Sequence, residues 1–108
     1  MHSAWRAMRA SAVFLALLVP PASARADPDD GEKLARRWCA ACHLVAPDQQ
    51  RASTDAPPFA TIARVPGFSP EKLALFLLEP HPKMPNMALS RGEATDLADY
   101  IAKLGATR

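Results

Sequence analysis

The only two cysteines of this 108-residue chain stand three positions apart and are followed at once by a histidine, in the order Cys39-Ala40-Ala41-Cys42-His43. This C-x-x-C-H pattern is the attachment signature of a c-type haem. Two thiols at this spacing can reach the two vinyl groups on one edge of a porphyrin, and the imidazole can then reach the iron from one face. The motif predicts one haem c, attached covalently through Cys39 and Cys42, with His43 as an axial ligand.

Other uses of a Cys-x-x-Cys pair fit this sequence less well. A thioredoxin-like redox pair requires a βαβ context and needs no histidine, whereas no strand-like alternation precedes Cys39. A zinc site needs four ligands, and no second Cys/His pair completes a tetrahedron, because His81 stands alone and His2 lies in the first segment. A disulfide between Cys39 and Cys42 would close almost no loop and would add little stability.

The start of the chain has the layout of an export signal. Two arginines precede the ten-residue apolar run Ala10–Val19, and no acidic residue occurs before Asp27. A basic start, a short apolar middle and a small-residue end are typical of a secretory signal peptide, and the run is far shorter than the roughly 20 residues that span a bilayer. We expect residues 1–26 to be a signal peptide cleaved after Ala26, with Ala24 as the alternative site.

Residues 27–108 would then form a single exported domain in the periplasm, with 10 basic and 11 acidic side chains among its 82 residues. A nearly neutral domain carries no electrostatic footprint for nucleic acid, and no segment of it is long and apolar enough to span a membrane. A domain of this size buries only a modest core and often depends on a staple or bound group. A haem would supply that interior.

An iron that only carries electrons needs a second axial ligand, and one stretch of the chain offers His81, Met84 and Met87. A methionine thioether favours ferrous iron and raises the reduction potential, whereas a second histidine would lower it. Met84 lies between Pro82 and Pro85, where the backbone is stiff and no regular helix forms. We therefore expect Met84 to be the ligand and Met87 to pack beneath the following helix.

Two helical segments are predicted in the first half of this domain. The first covers about residues 31–41, behind the candidate N-caps Asp29 and Asp30. A long, mostly polar segment follows the motif, and it contains a short helical turn at 61–64. Long structureless loops are uncommon in small domains, so we expect this one to wrap the cofactor.

Two more helices are predicted in the second half. Ser69 is a good N-cap for a helix that ends before Pro80. Ser90 and Glu93 form a capping box that opens the last helix, and Gly105 is the expected stop. Since no segment has the pattern of a strand, the predicted fold is all-α.

These residues resemble class I cytochromes c, the small monohaem cytochrome c family, over about residues 29–105. Gly31, eight residues before the first cysteine, matches a family glycine that lets the first and last helices cross closely. The stretch Met84–Ser90 is similar to the family's ligand loop. Three residues match those that pack at the helix crossing: Leu97, Tyr100 and Ile101. One departure is Ala35, where many members carry an aromatic side chain, and we expect Trp38 to replace part of that bulk.

The resemblance implies a cytochrome c fold of three to four helices around one covalent haem, with His43 as the proximal and Met84 as the distal ligand. It implies an electron carrier rather than an enzyme, which shuttles single electrons between exported or membrane-bound redox proteins. Two alternatives stay open. One is a haem c subunit that accepts electrons within a specific dehydrogenase, and the other is a haem enzyme or sensor with a labile sixth ligand.

Overall fold

The fold was analysed in a computed structural model, which describes residues 16–21, 25–53, 55–79 and 81–107. Within these residues the chain forms four α-helices and no β-strand, which confirms the predicted all-α fold. The helices are α1 (Pro28–Trp38), α2 (Phe59–Ala63), α3 (Pro70–Leu78) and α4 (Arg91–Ala106). The C-terminal helix α4 is the centre of the fold, because α1, α2 and α3 all pack against it.

The first helix begins at Pro28 rather than near residue 31, and its N-cap is Asp27 rather than Asp29 or Asp30. The carboxylate of Asp27 accepts hydrogen bonds from the main-chain N–H groups of Asp29 and Asp30. Pro28 favours this start, because its ring fixes a helical φ at the first helical position. The N–H of Asp27 also donates to Oδ1 of Asp96 at 2.7 Å, which ties the start of α1 to α4.

The two terminal helices cross at Gly31, which is buried. A Cβ at this position would overlap the main-chain carbonyl of Asp96 and would lie 2.8 Å from the Cβ of Tyr100. Only a residue without a side chain allows so close an approach. The crossing glycine implied by the family resemblance is therefore confirmed by the packing.

The core lies between α1, α2, α4 and the segment after the motif. Its buried members are Ala35, Val45, Ala46, Phe59, Leu97, Tyr100 and Ile101. Tyr100 donates a hydrogen bond from its hydroxyl to the main-chain carbonyl of Val45 at 2.5 Å, so its polar end is satisfied inside the core. This bond joins α4 to the chain just beyond the motif.

The expectation for Trp38 is wrong. Ala35 is fully buried in the core, but Trp38 is 47% exposed and does not fill the space beside it. The guanidinium carbon of Arg37 lies 4.8 Å from the centre of the Trp38 ring, an arrangement that a cation–π interaction favours. The small side chain of Ala35 is accommodated by the closeness of α1 to α4.

The caps of the last two helices agree with the sequence. The hydroxyl of Ser69 accepts from the N–H of Lys72 at the start of α3. Ser90 and Glu93 form the full capping box at the start of α4, and the hydrogen bonds from Ser90, its main-chain N–H first, lower the pKa of Glu93. The predicted stop at Gly105 is wrong, since α4 continues through Ala106.

Gly105 allows a close contact between two helices and does not end α4. A Cβ at this position would lie 2.5 Å from the Cβ of Ala63, so the missing side chain lets α2 approach α4. The short helix α2 thus packs against α4 at Gly105, a residue that the sequence pattern identifies only as a helix stop.

Part of the expected signal peptide lies outside the described residues, including Arg6 and Arg9 of its basic start and the segment 22–24. Residues 16–21 are described and have no helical structure; Leu17, Leu18 and Val19 are each more than 80% exposed. Among the described helices, none has the length and apolar character needed to cross a membrane.

Candidate haem-binding site

The residues Cys39–His43, here called the motif turn, form a tight turn directly after α1. The N–H groups of Cys42 and His43 both donate to the carbonyl oxygen of Cys39, at 3.1 and 2.9 Å. Cys39 is partly buried and Cys42 is exposed, and both are free thiols. The turn therefore brings the two cysteines and the histidine of the sequence motif together on one short, hydrogen-bonded segment.

The surroundings of the thiols disfavour the redox-pair and zinc alternatives. Burial raises the pKa of the Cys39 thiol to about 11, with a smaller contribution from Cys42. A disulfide oxidoreductase needs a thiol of lowered pKa, because the thiolate is the nucleophile. Within the described part of the chain, no cluster of three or more His, Cys, Asp or Glu side chains is arranged to hold a metal ion.

The ring of His43 is buried, and its Nδ1 lies 2.7 Å from the carbonyl oxygen of Pro57. A carbonyl oxygen only accepts, so Nδ1 must carry the proton, and Nε2 of the neutral ring keeps its lone pair. This is the form in which an imidazole coordinates a metal, with the second nitrogen held by an outer hydrogen bond. The motif turn thus fits a haem whose iron is bound through Nε2 of His43.

Aromatic packing also holds this histidine. The ring centre of Phe59 at the start of α2 lies 5.2 Å from that of His43, with the two planes tilted by 48°. The N–H of Phe59 donates to the carbonyl of Leu44 at 3.0 Å. The hydrogen bond between Phe59 and Leu44 therefore joins the two ends of the segment between the motif turn and α2. The closed loop places the carbonyl of Pro57 beside His43.

The other expected ligand lies in the segment between α3 and α4. Met84 and Met87 are both partly buried. The ring of His81 stacks on Phe76 of α3, with centres 4.0 Å apart and planes within 15°. Near the end of the segment, the side chain of Asn86 accepts from the N–H of Ala88 at 2.9 Å. The role of Met84 as a ligand stays a prediction.

A groove of about 590 Å³ between α3 and α4 is not the haem site. It is lined by residues that include Ala74, Leu75, Leu78, Arg91 and Asp99. None of the motif residues reaches it, and it offers no thiol or imidazole. The chemistry of attachment therefore favours the motif turn over this groove as the place for the cofactor.

Sequence reasoning missed two groups at this site. The carbonyl of Pro57 is a main-chain acceptor, and no side-chain pattern reveals which carbonyl will face a histidine. The amide of Gln49 makes several hydrogen bonds around the motif turn. The only signal for it is a polar residue six positions after His43, in a mostly polar segment that the sequence predicts to wrap the cofactor.

An all-α fold whose first helix ends in a C-x-x-C-H turn, with a buried histidine protonated at Nδ1, defines the class of small monohaem c-type cytochromes. Comparison with known proteins agrees with this class. A family model described as cytochrome c oxidase, cbb3-type, subunit III, matches residues 26–101. The chain belongs to this family of c-type cytochromes.

One curated relative resembles the chain over nearly its whole length. It is cytochrome c-552 of Bradyrhizobium diazoefficiens, 54% identical over 98 residues, which cover 90% of this chain and 94% of the relative. No solved structure matches the chain. The protein is thus a monohaem electron carrier with one covalently bound haem c, and it exchanges electrons with redox partner proteins.

Proposed function

We propose that thioethers from Cys39 and Cys42 hold the haem and that Nε2 of His43 and the sulfur of Met84 are the axial ligands of its iron. The observation that carries this proposal is the 2.7 Å hydrogen bond between Nδ1 of His43 and the carbonyl of Pro57. When bound, the haem supplies the one-electron couple. Cys39 and Cys42 would attach it, and the hydrogen bond from His43 to Pro57 would fix the direction of the imidazole.

Met84 is favoured over its neighbours on two grounds. Its flanking prolines, Pro82 and Pro85, stiffen the backbone and reduce the entropy lost on ordering the side chain. The alternative ligand His81 is engaged in a ring stack with Phe76 and would have to leave it to reach iron.

Binding of carbon monoxide by the reduced protein tests this ligand pair. We expect the visible spectrum to stay unchanged at neutral pH under saturating carbon monoxide, because both axial positions are filled by the protein. A spectral shift to a carbon monoxide adduct would show a labile sixth position and would contradict the assignment of Met84.

The same account includes export to the periplasm after removal of residues 1–26. Asp27 supports this, since it caps α1 and its nitrogen bonds to Asp96 of α4. The folded domain thus begins at the residue that cleavage after Ala26 would expose. N-terminal sequencing of the protein from the periplasm should read Asp27 first, and a chain that keeps residues 1–26 would contradict the signal-peptide assignment.

We infer that the protein acts as a free carrier between exported or membrane-bound redox proteins. The relative is named cytochrome c-552, and the match covers 94% of its length, so the two chains are similar in size. Residues 27–108 are close to neutral, so long-range electrostatic steering is weak. Contact would occur through the apolar rim of the haem edge, with the exposed Lys72 and Lys83 as local charges. Purification from the periplasm as an isolated protein supports this, whereas a constant stoichiometric dehydrogenase partner contradicts it.

A further inference from the structure

The side chain of Gln49 contacts four main-chain groups around the motif turn. Its Oε1 accepts from the N–H of Val45 at 2.9 Å. Its Nε2 lies within hydrogen-bond distance of three carbonyl oxygens, those of Ala40 at 2.8 Å and of His43 and Arg51 at 2.9 Å each. An amide NH₂ group has two protons, so the three carbonyls share two donors.

The local fold explains why this side chain points back under the motif turn. The N–H of Gln49 donates to the carbonyl of Ala46 at 3.2 Å, which closes a turn over residues 46–49. Arg36 of α1 holds the same turn from outside, because its guanidinium lies 2.9 Å from carboxylate oxygens of both Glu32 and Asp48. The turn is thereby attached to α1, and Gln49 enters the space next to the motif.

Two of the carbonyls that Gln49 binds belong to the motif turn itself. Ala40 stands between the two cysteines, and His43 is the expected ligand itself. The N–H of Val45 belongs to the residue whose carbonyl accepts from Tyr100 in the core. One side chain therefore links the attachment segment, the ligand and the core of the protein.

We propose that Gln49 is a positioning residue for the proximal ligand: its amide fixes the main chain within and after the motif turn, so that the ring of His43 keeps its bond to Pro57 and its direction toward the iron. This inference rests on the proposed function, in which His43 is the ligand. Outer hydrogen-bond partners orient metal-bound histidines and tune their basicity.

A side-chain amide accepts at its oxygen and donates two protons from its nitrogen, and no other type of neutral side chain offers that combination. A carboxylate at this position would keep the acceptor for Val45 but would present lone pairs to three carbonyl oxygens. A hydrocarbon would leave the partly buried groups without partners, which is costly. Both changes would free the main chain next to His43.

The matched pair Gln49→Glu and Gln50→Glu tests the proposal in the holoprotein. Gln50 is the adjacent residue, is exposed, and its side chain makes no hydrogen bond among the described residues, so the control adds the same charge one position away. We expect Gln49→Glu to lower the thermal midpoint by about 10 °C, because partly buried carbonyls lose their donors. Gln50→Glu should leave the midpoint within about 3 °C of wild type.

The positioning role is read from the proton NMR spectrum of the oxidised protein, where haem-methyl shifts report the direction of the axial imidazole. We expect these shifts to change in Gln49→Glu and to stay at wild-type values in Gln50→Glu. If Gln49→Glu does not fold, Gln49→Met replaces it, because this change removes the same hydrogen bonds without adding a charge. Gln50→Met is then the matched control. A lowered midpoint with unchanged haem-methyl shifts would reduce Gln49 to a structural residue and overturn the proposal.

The wild-type spectrum separates this proposal from the proposed function. Hyperfine-shifted imidazole protons in wild type report histidine ligation. Their absence would overturn the ligand assignment and this inference with it, whereas their presence together with unchanged shifts in the Gln49 variants would overturn this inference alone.

Discussion

Replacement of Met84 by alanine is expected to abolish the near-infrared sulfur-to-iron band of the oxidised protein and to open the reduced iron to carbon monoxide. Loss of the thioether also removes its preference for ferrous iron. We expect the reduction potential to fall by on the order of 0.1 V or more, within the roughly 0.8 V range over which axial ligands set haem potentials. Absorption spectroscopy and a potentiometric titration measure both effects.

Met87→Ala is the matched control, because it shortens another partly buried methionine, three residues away. It should keep the band and the potential and cost about 1–2 kcal/mol of stability, less than the loss from a fully buried methionine. The ligand assignment is contradicted if Met87→Ala loses the band while Met84→Ala keeps it.

Gly31→Ala is expected to produce the largest loss of stability of any single methyl added to this fold. The new Cβ would overlap the carbonyl of Asp96, which is main chain and cannot rotate away, so α1 must shift from α4. Overpacking of this kind costs on the order of 3 kcal/mol. In a domain of this size the thermal midpoint of the holoprotein should fall by about 10–20 °C.

Gly92→Ala is the control for this substitution. It adds the same methyl to α4, where the nearest atom would be Oγ of Ser90 at 3.9 Å. Alanine favours helix over glycine by up to about 1 kcal/mol, so this variant should be as stable as wild type or slightly more stable. Equal midpoints for the two variants would show that the helix crossing is looser than the structure describes.

Most of the fold can be predicted from the sequence, because the helix caps and the motif depend on residues close together in the chain. The N-caps Ser69 and Ser90 each need only a hydroxyl and a nearby N–H group to start a helix. The C-x-x-C-H motif indicates a covalent attachment that needs only its own five residues. The first helix start was misplaced because three nearby aspartates can all cap a helix. Pro28 selects Asp27 among them.

The remaining differences come from contacts between distant parts of the chain. Gly105 resembles a helix stop, but its role is set by Ala63, 42 positions earlier. Trp38 resembles a core residue, but in the structure it is 47% exposed and lies beside the guanidinium of Arg37. The partner of His43 is a main-chain carbonyl, and Gln49 acts through main-chain groups, so neither leaves a pattern of side-chain types in the sequence.

Extraction of the pigment from denatured protein is a direct test of covalent haem attachment. Protein matured with a c-type haem attachment system should keep its haem through denaturation and acid–organic extraction, because thioethers from Cys39 and Cys42 are covalent. The double variant Cys39→Ala with Cys42→Ala should yield no covalent pigment. All wild-type haem is expected to stay with the polypeptide, and free haem in the organic phase from wild-type protein would contradict covalent attachment.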